Sequence, residues 1–527
     1  MKNSSAKKVM RGALILSIAS IVAKILSAVY RVPLQNLVGN TGFYVYQQIY
    51  PIYGIGMTFA LNGFPIFISK IIAEEPEEEK RLRLSRYAML ILAGLSLLIF
   101  LFLMVGARWI AGAMGDVSLT PLLRMVSTMF LFMPLLATGR GYYQGIYDVA
   151  PTAKSQVLEQ VVRVSIIILV AVLAVKLNWS VYKMGTWAMA SSTLAAVAST
   201  LFFIKFGSKL IKAKRHKFNW QLFKILVKRF VVEGGVICLL AAMIILLQLV
   251  DSFTVKNSLV SGGLTQSMAK SMKGIYDRAQ PLVQLGTVIA TAFATTLLPS
   301  LTEALQKRDT KAFYRSATSL LRVSLTISMA ASIGMVALMP QINHLLFGSS
   351  EGSLALAVYN LSVIFAALIF VYNSILQSAG AVKPTLVAII TGIIIKVVLN
   401  SWAAQWLGIL GASLVTVLSL AVIAGVMNYA LPSQLSKRVY REHHFLRKLI
   451  WGNLLMFIVV KLLVIVLQLT VVSPGRFGAT IITVIGVIVG AGVFISYIFK
   501  FRLFSIREWL TIPYGSKILR MVQRIVK

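Results

Sequence analysis

Most of the lysines and arginines in this chain lie between apolar runs, but a few lie inside them, and those few could do chemistry. They are Lys24, Arg31, Arg163, Arg278 and Lys396, with Lys461 a less patterned sixth. A fixed cation inside hydrocarbon costs several kcal/mol, so it is retained where it meets an anion or a buried partner. Glu159 stands four residues before Arg163, a spacing that lets the two neutralise each other on one helix face. Lys396 has no acid at three or four residues on either side, so its partner must come from another helix or from a substrate. Asp251 is a candidate, and Asn400 stands one turn beyond Lys396. Asp277 directly precedes Arg278. Gln48 and Gln280 offer amides that suit a sugar hydroxyl or a neighbouring helix.

These residues sit in a repeated frame. The stretch RGYYQGIYDVAPTAKSQVLEQVVRV at 140–164 returns as SILQSAGAVKPTLVAIITGIIIKVVLN, with Gln144 matching Gln377, Pro151 matching Pro384, Thr152 matching Thr385 and Arg163 matching Lys396, all 233 residues apart. At an offset of 232, Gly42, Tyr44, Gln48, Gly54 and Ala60 fall on Gly274, Tyr276, Gln280, Gly286 and Ala292. A cation twelve residues past a helix-starting proline, twice, points to a duplicated unit.

The elements that must position these residues are transmembrane helices. Hydrophobic residues make up 58% of the 527, charged residues 13%, and the mean hydropathy is +0.83. Apolar runs of about 20 residues recur throughout, each long enough to cross a ~30 Å hydrocarbon core. Fourteen are expected: near 12–31, 43–70, 87–106, 121–143, 152–175, 184–204, 231–254, 274–301, 318–339, 354–378, 385–405, 409–431, 448–470 and 478–499. The fold class is an all-α integral membrane protein of two parallel-repeat six-helix lobes plus two C-terminal helices. The lobes span 1–204 and 231–432, joined by a basic linker at 205–230, and residues 433–527 hold the last two helices and a basic tail. Lys24 interrupts the first run and no convincing cleavage site follows, so that run reads as a retained helix rather than a signal peptide.

The net charge of +36 concentrates in loops at 80–86, 205–229, 307–322 and 437–448 and in the tail. The positive-inside rule makes these loops cytoplasmic and places both termini there, beside anionic lipid, with nucleic acid not implied. The one cysteine, Cys238, excludes an internal disulfide framework. Histidines 216, 344, 443 and 444 fall in predicted loops, and no metal-ligand spacing, nucleophile elbow or phosphate-binding glycine loop is evident, so an enzyme, a metal or an organic cofactor is not expected.

The pattern R-G-x-x-Q-G-x5-P-T-x-x-S-Q-x-x-E-Q-x-x-R resembles the multidrug/oligosaccharidyl-lipid/polysaccharide (MOP) exporter superfamily, and within it the MurJ-type lipid II flippases and their SpoVB-like relatives. Tyr276-Asp277-Arg278 followed by Leu297-Leu298-Pro299-Ser300-Leu301 is similar to that family's eighth helix. The resemblance implies two lobes around a cationic cavity for a pyrophosphate-sugar headgroup, with a groove on the last two helices for the polyprenyl tail. It places Lys24 on the family's first-helix cavity arginine and Arg278 on its eighth-helix arginine. The family's second arginine of the first helix would fall on Tyr30, so Arg31 reads either as a cavity cation or as an anchor at the outer interface. Some members hold sodium with acids and amides on the seventh and eleventh helices; here the Lys396 ammonium would replace that ion as a counter-charge to Asp251. The family's second-helix arginine pair has no counterpart in GIGMTFALNG, which leaves room for a polyprenyl-linked glycan other than lipid II.

The expected function is therefore a flippase for an undecaprenyl-pyrophosphate-linked glycan, lipid II favoured, in a bacterial plasma membrane. Membrane potential, Na+ or H+ are the coupling options, and cell-wall synthesis enzymes are candidate partners. The main rival is a drug/cation antiporter of the MATE type, which would place acids, not Lys24, Arg163, Arg278 and Lys396, inside the lobes. A non-transporting scaffold is the other rival, and it gains nothing evident from intramembrane charge.

Overall fold

The computed structural model describes residues 2–212, 217–288, 309–381, 383–432, 444–470 and 475–504, with Leu301, Ala304, Lys307, Leu435 and Glu508 besides; side chains are described from Ile15 on, Ser17 excepted. Leu297 to Ser300, His216, His443 and most of the basic tail lie outside that set. Every regular element among the described residues is helical. Eleven are long and apolar enough to cross a membrane, and two of these, Ile18–Glu74 and Lys383–Tyr429, have 57 and 47 residues. At about 1.5 Å per residue each is long enough for two crossings. The expected eighth run, 274–301, is described as far as Val288.

The chain packs into two compact units, Met1–Asp277 and Arg278–Lys527. In the first, α1 (Lys2–Val29) leads into α2 (Arg31–Thr58), which bends at Gly39, where a φ of 69° suits a residue without a β-carbon. One wide turn, Phe59–Gly63, connects α2 to α3 (Phe64–Glu74). There follow α4 (Glu78–Ala113), α5 (Thr120–Ser127), α6 (Met133–Gly145), α7 (Ala150–Lys176), α8 (Val181–Thr200), α9 (Ile204–Lys212), α10 (Trp220–Arg229), α11 (Gly235–Ser261) and α12 (Gln266–Asp277). Apolar side chains such as Phe43, Ile49, Leu122, Val126 and Phe203 are fully enclosed between these helices. Packing thus groups α11 and α12 with the first unit, whereas the repeat in the sequence predicts them with the second.

The second unit holds α13 (Thr310–Ala337), α14 (Met339–Phe347), α15 (Ser353–Asn360), α16 (Ser362–Ser378), α17 (Lys383–Tyr429), α18 (Phe445–Thr470) and α19 (Arg476–Lys500). Helix α17 reverses at Gly408, with φ 61°, so that its two arms lie side by side.

Two local expectations change. The basic stretches 80–86, 205–212, 220–229 and 310–322 are helical extensions of membrane helices rather than loops. Lys, Arg, Glu and Leu are good helix formers, and Glu78 and Glu79 in the first turn of α4 favour the positive end of its dipole. Ion pairs knit these extensions together: Lys209 with Glu78, Lys70 with Glu233 at 2.8 Å, and Arg229 with Glu233 at 2.8 Å. His344 is likewise helical, within α14, because Pro340 opens a new helix in place of the loop expected there.

Candidate functional site

The motif of 140–163 folds as one face of α7 set against α6. Pro151 sits in the first turn of α7, where its missing N–H costs nothing. Thr152, Ser155, Gln156, Glu159, Gln160 and Arg163 then recur at helical spacing, and all six are buried. On α6, Gly141 and Gly145 lie one turn apart where a β-carbon would meet Ile68 and Ile72 of α3 at 2.6 and 2.7 Å. The two glycines let α6 approach α3 closely and fix the height of Arg140 between them and α7.

Arg140 is the hub. It is fully buried, its Nη2 pairs with Glu159 Oε2 at 2.5 Å, its Nη1 donates to the Ala60 carbonyl at 3.0 Å, and its Nε donates to Ser155 Oγ at 3.2 Å. Ala60 belongs to the wide turn Phe59–Gly63, where the helical hydrogen-bond ladder is loosened. Thr152 Oγ1 closes the arrangement by donating to the Arg140 carbonyl at 3.3 Å. Gln156 reaches α1 instead, donating to Ser20 Oγ at 3.2 Å.

Glu159 therefore does not neutralise Arg163, as the four-residue spacing suggested. An i, i+4 pair is worth only a few tenths of a kcal/mol on an open helix, and a 2.5 Å charge-assisted hydrogen bond from Arg140 on the neighbouring helix outcompetes it. Arg163 turns to a set of tyrosines. Its Nη2 donates to Tyr46 Oη at 2.7 Å and to Tyr30 Oη at 3.1 Å, and those hydroxyls are 2.8 Å apart. Its guanidinium lies 3.7 Å from the centroid of the Tyr53 ring. Arg31 joins from the start of α2, 4.2 Å from the centre of the Tyr50 ring. Arg31 and Arg163 are 2% and 1% exposed, so Arg31 belongs to this cage and is not an anchor on the surface.

The cage carries two cations and no paired carboxylate among the described residues. Arg163 Nη1 and Arg31 Nε are buried without a hydrogen-bond partner there. Asp277 is an acid near enough to interact with Arg31, and Lys273 already holds its Oδ1 at 2.5 Å. Cation–π contacts and hydroxyl dipoles stabilise guanidinium groups without cancelling their charge. Such a site suits an oxyanion.

Other expected residues are placed elsewhere. Lys24 lies on an exposed stretch of α1. Gln48 donates to the Ser252 carbonyl of α11, joining two helices. Asp251 accepts from Tyr276 Oη at 3.0 Å. Asp277 and Arg278, adjacent in sequence, point apart: Asp277 bonds back to Lys273, while Arg278 in the second unit donates to Asn343 Oδ1 at 3.0 Å and Ser349 Oγ at 3.3 Å. Gln280 is buried in the second unit. Lys396 is fully buried between the arms of α17 and donates to Thr416 Oγ1, with Asn400 buried on the same arm.

Sequence reasoning missed Arg140, the tyrosine cage and a second polar cluster in the first unit, which Tyr44 of α2 reaches through a 3.4 Å hydrogen bond to Asp116 Oδ2. There Asp116 Oδ2 accepts from Lys270 at 2.9 Å and from Tyr182 at 2.8 Å, and Lys256 Nζ donates to the Gly115 carbonyl at 2.7 Å. Burial opposes the charge on Lys270, yet its hydrogen bond to Tyr182 and the Asp116 carboxylate hold its pKa above the ordinary lysine value. A signal for the cage was present: Tyr46, Tyr50 and Tyr53 share one helical face.

A family model described as "Polysaccharide biosynthesis protein" matches residues 9–305, more than half of the chain. The chain is 35% identical to the uncharacterized membrane protein YabM of Bacillus subtilis (strain 168), over 98% of this chain and 96% of that one. It is 24% identical to the lipid II flippase MurJ of the same organism, over 93% and 94% of the two chains. Among solved structures it is similar to lipid II flippase MurJ in an inward closed conformation, with a TM-score of 0.69 and 15% identity, over 93% of this chain and 99% of that one. The chain belongs to the polysaccharide biosynthesis protein family, and its fold is similar to that of solved MurJ and MATE transporters.

Proposed function

We propose that this protein is a flippase that moves an undecaprenyl-pyrophosphate-linked glycan, lipid II being the favoured cargo, from the cytoplasmic to the outer leaflet by alternating access. The observation that carries the reading is the tyrosine cage: two buried arginines whose charge no carboxylate of the described residues cancels. A pyrophosphate brings the complementary charge, and its oxygens match guanidinium donors in geometry as well as sign. A cationic drug would be repelled from the same place, which sets the antiporter reading second. The relative named lipid II flippase supports the lipid II assignment. The cation-free stretch GIGMTFALNG favours, as a second cargo, another glycan on the same lipid carrier.

In this reading both termini are cytoplasmic, and Lys396 supplies the second unit with a built-in cation, so that transport does not require sodium. The test expresses the protein, or its Arg163→Gln variant, in bacteria depleted of their own lipid II flippase. A membrane-impermeant reagent that cleaves exposed lipid II then reads its arrival on the outer face. Restored exposure with the native chain and its loss with Arg163→Gln is the expected result. Absence of restoration, with the protein present in the membrane, would move the assignment to another polyprenyl-linked glycan.

A further inference from the structure

Glu159 raises a question of charge that the flippase reading alone leaves open. It is buried, one helical turn from Arg163 and on the same face of α7. Left to helix geometry, the two side chains would pair, and the cage would lose half of its positive charge. Arg140 prevents this. All three of its nitrogens are engaged, on Glu159, Ala60 and Ser155, and its own carbonyl is held by Thr152. The close approach of Gly141 and Gly145 to α3 fixes its backbone.

We propose that Arg140 is a positioning residue for substrate binding: it sequesters the Glu159 carboxylate and so keeps Arg163 available to the anionic headgroup. The inference rests on the reading of the cage as an anion site. The second repeat is consistent with it. At the same offset of 233 residues, Arg140 becomes Asn373, Glu159 becomes Gly392 and Arg163 becomes Lys396. Acid and sequestering base are absent together, while the cation is kept. A buried acid and base are lost together whatever their purpose, since either alone is costly, so the informative part is that the cation is kept where both are gone. An acid beside a working cation, however, needs its own base.

The test uses the full chain in lipid nanodiscs and measures binding of inorganic pyrophosphate by calorimetry, with the thermal unfolding midpoint recorded for each variant. Arg140→Gln frees Glu159 to turn onto Arg163, and affinity is expected to fall by about tenfold or more, the scale of one charge-assisted hydrogen bond. Arg140→Gln combined with Glu159→Gln removes the competing acid and should return affinity to within about threefold of the native chain. Arg140→Lys, which keeps a base beside Glu159, should bind nearly as the native chain does and covers the case in which Arg140→Gln folds poorly.

A purely structural ion pair gives a different pattern, with affinity following the unfolding midpoint across the series. That result, or a double variant as weak as Arg140→Gln, would overturn the proposal. If Arg163→Gln loses pyrophosphate binding while Arg140→Gln retains it, the inference fails and the anion-site reading stands. If Arg163→Gln binds as the native chain does, the reading fails and takes the inference with it.

Discussion

The two repeats treat their buried cation differently. In the first unit Arg163 lies among tyrosines, with Arg31 beside it and an acid one turn away that Arg140 holds. In the second, Lys396 donates to Thr416 across the two arms of α17, and the positions equivalent to Arg140 and Glu159 are Asn373 and Gly392. Gly392 is also where the arms meet, since a β-carbon there would collide with Ile423. On the proposed reading, the first repeat is the binding site, with a second arginine beside its cation and an acid held away from it. The second keeps its cation in a close helix–helix contact. On that reading, the difference between the two repeats marks where function is concentrated.

The largest effect should come from Arg163. Arg163→Gln removes the cation and the unengaged Nη1 donor that an anion would meet, the scale of one charge-assisted hydrogen bond, so pyrophosphate affinity should fall by about 10- to 100-fold and flipping measured in proteoliposomes should fall with it. Lys396→Gln should leave pyrophosphate binding within a few-fold of native and make transport weaker or newly sensitive to sodium. A loss as deep as that of Arg163→Gln would erase the contrast between the repeats.

Packing predictions sharpen the same contrast. Gly392→Ala forces the arms of α17 apart and should destabilise by about 1–3 kcal/mol, read as a lower thermal midpoint. Gly425→Ala, further along the same helix with open space around it, should be neutral or stabilising by up to about 1 kcal/mol.

The smallest effect concerns pH. Lys270 has a folded-state pKa above its ordinary value, so its ion pair with Asp116 contributes fully below the unfolded lysine pKa and is lost only as pH rises through the raised value. Between pH 6 and pH 9, conditions chosen on the ordinary lysine value of roughly 10.4, the stability difference between the native chain and Lys270→Met should stay constant. It should shrink only at more alkaline pH. A difference that vanished by pH 8 would contradict the assignment.

Much of this was legible in the sequence because membrane helices announce themselves by length and hydropathy, and because the buried face of α7 follows helical spacing from Thr152 to Arg163. The partner of Glu159 was not legible. Spacing along one helix points to Arg163, but the outcome depends on how closely α6 approaches α7, which Gly141 and Gly145 decide through contacts with α3. The cage was hidden for a similar reason: Tyr30, on the far side of the turn into α2, meets Tyr46 only after the chain bends back. Charged stretches read as loops became helix ends because their side chains pair across neighbouring helices, as Lys209 does with Glu78. Lys24, the most suggestive cation by depth, is exposed on α1, as a residue lining an open cavity or facing lipid would be, and hydropathy carries no information about which of the two ways a helix faces.

The central claim is that the anionic headgroup enters the cage formed by Arg31, Arg163 and the tyrosines. The most direct test places a photoreactive benzoylphenylalanine at Tyr53 and, separately, at Trp109, an exposed position on α4, and illuminates membranes containing a radiolabelled undecaprenyl-pyrophosphate-linked glycan. The account predicts cross-linking at Tyr53 that excess pyrophosphate abolishes, with none of that competition at Trp109. Equal labelling at both positions, or labelling at Tyr53 that pyrophosphate leaves unchanged, would contradict it.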